Sequence, residues 1–157
     1  MSKTYPHLLR SKDVDRKSAT FNHPWNQLSE VAYTHMSREA GLSRSGVSLV
    51  RIAPGKESFA YHLHYREEEW LYILSGRGVA LIDGAEYEMG PGDFVAFPTP
   101  SVAHNMSNPF DDELVYLSGG EHRHCEVADF PELGRRMVRT GEQVTVYDLA
   151  DGRPFFE

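Results

Sequence analysis

From residue 30 onward the apolar residues come in short runs broken by Gly, Pro, Asn and Asp, with no sustained 3.6-residue period. The runs fall at 31–36, 46–52, 59–64, 70–74, 78–82, 85–89, 94–97, 103–108, 114–117 and 125–128, a cadence that predicts strands. Asp83-Gly84, between Val79-Ala80-Leu81-Ile82 and Ala85-Glu86-Tyr87-Glu88, predicts a hairpin, because a two-residue primed turn needs positive φ at both positions. Gly90-Pro91-Gly92 marks a second reversal; Gly76-Arg77-Gly78 is a turn between strands with no helix behind it, and so no phosphate cradle. A helical period is expected only over 131–138, where Glu132-Leu133-Gly134-Arg135-Arg136 predicts a turn or two. Residues 1–28 contain Pro6, Asn22, Pro24 and Asn26 without a period and predict an irregular N-terminal arm, tacked down by Trp25; residues 29–157 form one domain. Many short strands with Gly/Pro corners imply an all-β sandwich or barrel.

Placed on those strands, the polar residues acquire a chemistry. Alternate side chains of a strand share a face, so His62 and His64 lie side by side while Leu63 points away. After the acidic bend Arg66-Glu67-Glu68 the chain re-enters an apolar run at Glu69, where an antiparallel return sets a carboxylate beside the two histidines. His104 completes three imidazoles and one carboxylate, the donor set of an open transition-metal site. Glu67 and Glu68 read as solvated loop acids, either of which replaces Glu69 if the register slips by one. Tyr61 and Tyr65 flank the histidine pair on the opposite face and have packing roles. His122 and His124, beside Cys125, read as a solvent-facing strand end.

The same residues carry a resemblance. The stretch 55–76 resembles the first cupin motif: Gly55, His62, His64, Glu69 and Gly76 match, with one extra residue between Gly55 and His62. The stretch 92–108 resembles the second motif through Gly92, Pro98, His104 and Asn108; Pro100 replaces the motif's glycine and the spacer before His104 has three residues instead of two. The surrounding text is similar to a group of small single-domain bacterial cupins, some labelled sugar-phosphate isomerases. The resemblance implies a jelly-roll barrel, one divalent metal ion (Mn, Fe, Zn, Ni or Co) held by His62, His64, Glu69 and His104, and a homodimer.

Composition narrows the partners. A net charge of −7 with no basic cluster argues against a nucleic-acid surface. One cysteine, Cys125, allows no intramolecular disulfide, and residues 1–17 have no apolar core for a signal or membrane anchor, so a cytoplasmic protein is expected. The partner expected at the site is a small molecule. The chain reads as a metal-dependent enzyme on a small oxygenated metabolite, an isomerase (of a sugar phosphate, for instance) or an oxygenase; the alternative is a non-catalytic metal-dependent binder or sensor. A phosphate would need a basic residue at the mouth, for which Arg51, Lys56 and Arg66 are nearest in sequence, while Arg135, Arg136 and Arg139 read as a solvated C-terminal face.

Overall fold

A computed structural model describes residues 5–154 and Phe156. The expected cadence is realised as antiparallel strands in three sheets: β1 (Ala19–Phe21), β2 (Val31–Thr34), β3 (Ser45–Ile52), β4 (Lys56–Glu57), β5 (Leu63–His64), β6 (Glu69–Ser75), β7 (Gly78–Ile82), β8 (Ala85–Met89), β9 (Phe94–Phe97), β10 (His104–Asn108), β11 (Leu114–Glu121), β12 (Cys125–Phe130), β13 (Arg135–Thr140) and β14 (Gln143–Asp148). One wall has the order β1-β2-β3-β11-β6-β9; the opposite wall is split into β4-β10-β7-β8 and β14-β13-β12-β5. The two halves meet at an isolated antiparallel bridge between His62 and His104.

Alternation decides what fills the barrel. The inward positions of β3, β6, β10 and β11 put Ile52, Ile73, Met106 and Leu114 at 0–1% exposure, beside Val31 and Phe97. Each such side chain contributes roughly 1.5–3 kcal/mol by burial. The Asp83-Gly84 hairpin forms as expected, with φ of 50° and 77° joining β7 to β8. Gly76 is a motif glycine with two reasons to be one: its φ is 73°, and a Cβ there would stand 2.2 Å from the Glu113 carbonyl oxygen.

Four expectations are corrected. The run 31–36 ends as a strand at Thr34, and a one-turn helix, Met36–Glu39, follows. The run 59–64 is strand only at Leu63–His64, because the chain there crosses the seam between the two halves of the split wall. Within the arm, a helix, Ser11–Arg16, precedes β1, which pairs with β2 and extends the six-stranded sheet. Trp25 does tack the arm down, edge-on to Phe130 at 5.0 Å and beneath the Arg135 guanidinium at 4.7 Å. Near the C-terminus the expected helix is only a 3-10 turn at Pro131–Leu133, stopped by Gly134 at φ 59°; the chain then forms the β13–β14 hairpin. That hairpin lacks alternation because β14 is exposed on both faces.

Candidate metal centre

His62 and His104 face each other across the seam, each backbone N–H donating to the other's carbonyl, at 3.1 and 2.8 Å. The reciprocal pair fixes where both side chains leave the backbone. His64 is held by the turn before β10: its carbonyl accepts the Ser101 N–H and its own N–H donates to Ser101 Oγ, both at 2.8 Å. This is the turn that Pro100 and the longer spacer rebuild, and it still delivers His104. Glu69 opens β6 opposite Gly120, where a Cβ would lie 2.4 Å from the Glu68 carbonyl oxygen. Glycine lets the ligand loop close on β11.

The four side chains present ligand atoms that all lie within 4.8 Å of one another. The Nε2 atoms of His62 and His64 are 3.1 Å apart, and Glu69 Oε2 is 3.2 Å from His104 Nε2 and 3.3 Å from His64 Nε2. Two ligands at right angles, each about 2.1 Å from one ion, stand about 3 Å apart, so these separations fit a divalent transition metal. The tautomers fit as well. His62 Nδ1–H donates to the Ala60 carbonyl at 2.8 Å and His104 Nδ1–H to the Val102 carbonyl at 2.9 Å, leaving both Nε2 lone pairs facing inward. Phe97 lies flat on His104, 3.6 Å between ring centres and 7° from parallel, and Ser118 donates to Glu69 Oε1 at 3.3 Å.

Without an ion the same packing makes the groups share protons. Burial, with the His64 cation beside it, lowers His62 to about 3 and keeps it neutral. Burial also opposes charge on His64, but Glu126 and Glu69 outweigh it and raise His64 to about 9. His64 is therefore the donor in the 3.1 Å contact with His62. Burial pushes Glu69 up, yet His104 and His64 hold its carboxyl well below the usual range. Tyr116, 3% exposed and on the same face of β11 as Ser118, is kept neutral by burial and by the Glu69 charge.

The other polar residues sort differently. Neither Glu67 nor Glu68 joins the cluster. Glu67 is not a solvated acid: it pairs with Arg139, both side chains being 13% exposed. Tyr65 does more than pack, since its hydroxyl donates to Asp129 Oδ2 at 2.9 Å, and Tyr61 Oη accepts the Gly84 N–H at 3.0 Å. His122 and His124 are exposed, as expected, with His122 against Arg139 at 2.8 Å. Arg135 pairs with Asp148 and Arg136 with Asp129, so the three C-terminal arginines are ion-paired and not simply solvated. Arg51 pairs with Glu113 and Asp15, and Lys56 with Glu30; Arg66 has no ion pair among the described residues. Glu126, next in sequence to Cys125, is 1% exposed with Oε1 3.4 Å from His64 Nδ1. A groove of about 340 Å³ containing Tyr61, Val79, Leu81 and Asn105 lies on the outer face of β7 and β10 and includes none of the four ligand-type residues.

An antiparallel barrel with three imidazoles and a carboxylate converging from its opposite walls defines a class of small β-barrel proteins with a candidate metal site in the interior. The cupin domain family matches residues 48–120. Over 97% of its length the chain is 35% identical to a provisionally named sugar phosphate isomerase from Acidithiobacillus ferrooxidans, covering 98% of that protein with a TM-score of 0.90. A cupin-superfamily sugar phosphate isomerase from Silicibacter pomeroyi shares the fold at 23% identity, with 88% of this chain and 90% of that one aligned and a TM-score of 0.77. An uncharacterised protein of Methanocaldococcus jannaschii is 37% identical over 57 residues, which are 36% of this chain and 45% of that protein's length. The chain belongs to the cupin superfamily. No helix among the described residues is long and apolar enough to cross a membrane.

Proposed function

We propose that this cupin is a metal-dependent isomerase of small hydroxycarbonyl metabolites, with His62, His64, Glu69 and His104 as the metal ligands. The observation that carries the reading is the set of 3.1–3.3 Å separations among Nε2 and Oε2 atoms, with the Nδ1–H groups of His62 and His104 already engaged by backbone carbonyls. A divalent ion held by these four residues would supply Lewis acidity and a template for a hydroxyl–carbonyl pair. The protein's own contribution is orientation and exclusion of water: Phe97, Phe130 and Phe59 pack around the imidazoles. The neutral Tyr116 phenol is a hydrogen-bond donor for a substrate oxygen on the interior side.

Sugar phosphates are the first substrates to test, because the full-length likeness is to a protein bearing that name. Charge supports a modest demand for phosphate binding: of six basic residues near the site or on the C-terminal sheet, Arg66 is free of ion pairs among the described residues. The substrate is therefore gripped chiefly through its hydroxyl and carbonyl oxygens. The test sets protein loaded with each of Mn, Fe, Co, Ni and Zn against aldose and ketose phosphates and their unphosphorylated forms, following interconversion by NMR, with oxygen uptake on diketones and phenols in parallel. Interconversion that disappears in His104→Ala supports the reading. Oxygen uptake without interconversion replaces it with an oxygenase, and a stabilising ligand without turnover replaces it with a binder.

A further inference from the structure

Glu126 is 1% exposed, among the most deeply buried side chains described, although it is a carboxylate. On the inward face of β12 it is two residues from Ala128, which pairs directly with His64 on β5. Its Oε1 accepts the N–H groups of Tyr65 and Arg66 at 3.2 and 3.3 Å and lies 3.4 Å from His64 Nδ1. That last contact is too poorly aligned to count as a hydrogen bond, so His64 Nδ1 and Glu126 Oε2 are both buried without a hydrogen-bond partner among the described residues. Burying a carboxylate this way is unfavourable unless its charge is used.

Comparison of the three histidines shows where it is used. His62 and His104 each spend Nδ1–H on a backbone carbonyl two residues back. In His64 the group standing at Nδ1 is not a carbonyl but Glu126. We infer that Glu126 is the positioning carboxylate of His64, fixing the Nδ1–H tautomer so that Nε2 faces the ion and lending that imidazole the donor strength of a full negative charge. The inference rests on the metal reading above and adds to it a residue outside the 48–120 cupin match. Such outer partners typically change metal affinity by about 10- to 100-fold.

The experiment uses zinc as the probe, with competitive chelator titration of the wild type, Glu126→Gln and Glu126→Leu, plus melting of each metal-free protein. Glu126→Gln retains an oxygen for the Tyr65 and Arg66 amides and tests charge alone. Its zinc affinity should fall about 10-fold while the metal-free protein still melts cooperatively, and that of Glu126→Leu about 100-fold. In the zinc-loaded proteins the Nδ1–H proton of His64 should be the most deshielded of the three imidazole N–H signals by NMR and should move upfield in Glu126→Gln, with those of His62 and His104 unmoved. Zinc affinities within twofold of wild type in both variants would overturn the inference while the metal site stands. Failure of the wild type to bind zinc or any other first-row ion would overturn the metal reading and the inference together.

Discussion

The two sheets that carry Glu69 and His104 and the sheet that carries His64 are held by different forces. On β6 and β10, the inward neighbours of the ligand-type side chains include the buried apolar residues Leu71, Ile73 and Met106. On the β14-β13-β12-β5 sheet the ties to the loop between His64 and Glu69 are polar: Arg136 grips Asp129 at 2.7 and 2.8 Å, Asp129 accepts the Tyr65 hydroxyl, Arg139 pairs with Glu67, and Glu126 takes two loop amides. Dispersion and burial position side chains without regard to pH or salt, whereas charge pairs respond to both. One site is thus assembled from a rigid, condition-independent half and an electrostatically tuned half. Perturbations of charge should reach His64 and spare His104.

The largest expected effect removes two of the four ligand-type residues. His62→Ala/His64→Ala should abolish metal occupancy as measured by elemental analysis of purified protein, while His122→Ala/His124→Ala should leave it at about one ion per chain. Full occupancy in the first double variant would sink the site, and a halving in the second would reveal another one.

The two halves were unequally legible in the sequence, for the same physical reason. β7, β8 and β9 fall at their expected residues because alternation and Asp-Gly or Pro-Gly punctuation report a half-buried strand directly. His62, His64, Glu69 and His104 were found because ligand-type residues at motif spacing stand out from such strands. The β13–β14 hairpin was missed: Arg135-Arg136-Met137-Val138-Arg139-Thr140 has no two-residue period, since its partners are Asp129, Glu67 and a second exposed strand. Glu126 was invisible for a related cause. A charge two residues from an apolar pairing position reads as solvated unless the histidine that it faces is known, and β12 meets β5 across roughly sixty residues of chain. The order in the arm was also hidden, since β1 gains its partner only through the sheet that β2 begins.

Metal removal comes next in size. Ion binding stabilises by mass action, about 4 kcal/mol when free metal exceeds the dissociation constant a thousandfold. For a chain of this length that is roughly 10 °C in melting temperature. Chelation should therefore lower the melting temperature by about that amount without unfolding the protein at room temperature, because the apolar core is independent of the ion. Hydrogen exchange should quicken at residues 62–69 and along β12 more than along β6 and β11. A random-coil circular dichroism spectrum after chelation would show that the apolar core does not stand alone.

Acidity separates the halves more finely. In the metal-free protein His64 is raised to about 9, above its ordinary value, so its protonation adds stability that is complete below about pH 6.5 and is lost as pH rises towards 9. His62 is lowered to about 3: below about pH 6.5 the unfolded chain takes up a proton that the folded one refuses, and stability falls on acidification. The metal-free melting temperature should peak near pH 6.5 and drop by about 5 °C towards pH 9. Since His64 must give up its proton to ligate, metal affinity should rise about tenfold per pH unit over that range. A melting temperature flat between pH 6.5 and 9 would mean that the carboxylates do not govern His64.

The smallest effect is the sharpest test of the comparison, because it touches the polar half alone. Asp129 is 7% exposed and holds the Arg136 guanidinium at two points while accepting Tyr65, next in sequence to His64. Arg136→Ala leaves that carboxylate with the phenol as its remaining side-chain partner, yet the Arg136 side chain is 39% exposed, so water makes good part of the loss. A cost of about 1 kcal/mol is expected, near 3 °C in melting temperature. Salt identifies its origin. Raising ionic strength from 0.05 to 0.5 M, over which the screening length shortens severalfold, should narrow the gap between wild type and Arg136→Ala. A core variant such as Ile73→Val, costing a similar 0.5–1.5 kcal/mol through lost burial, should keep its gap at both salts. Equal salt responses in the two variants would dissolve the distinction between the halves, leaving the site held throughout by packing.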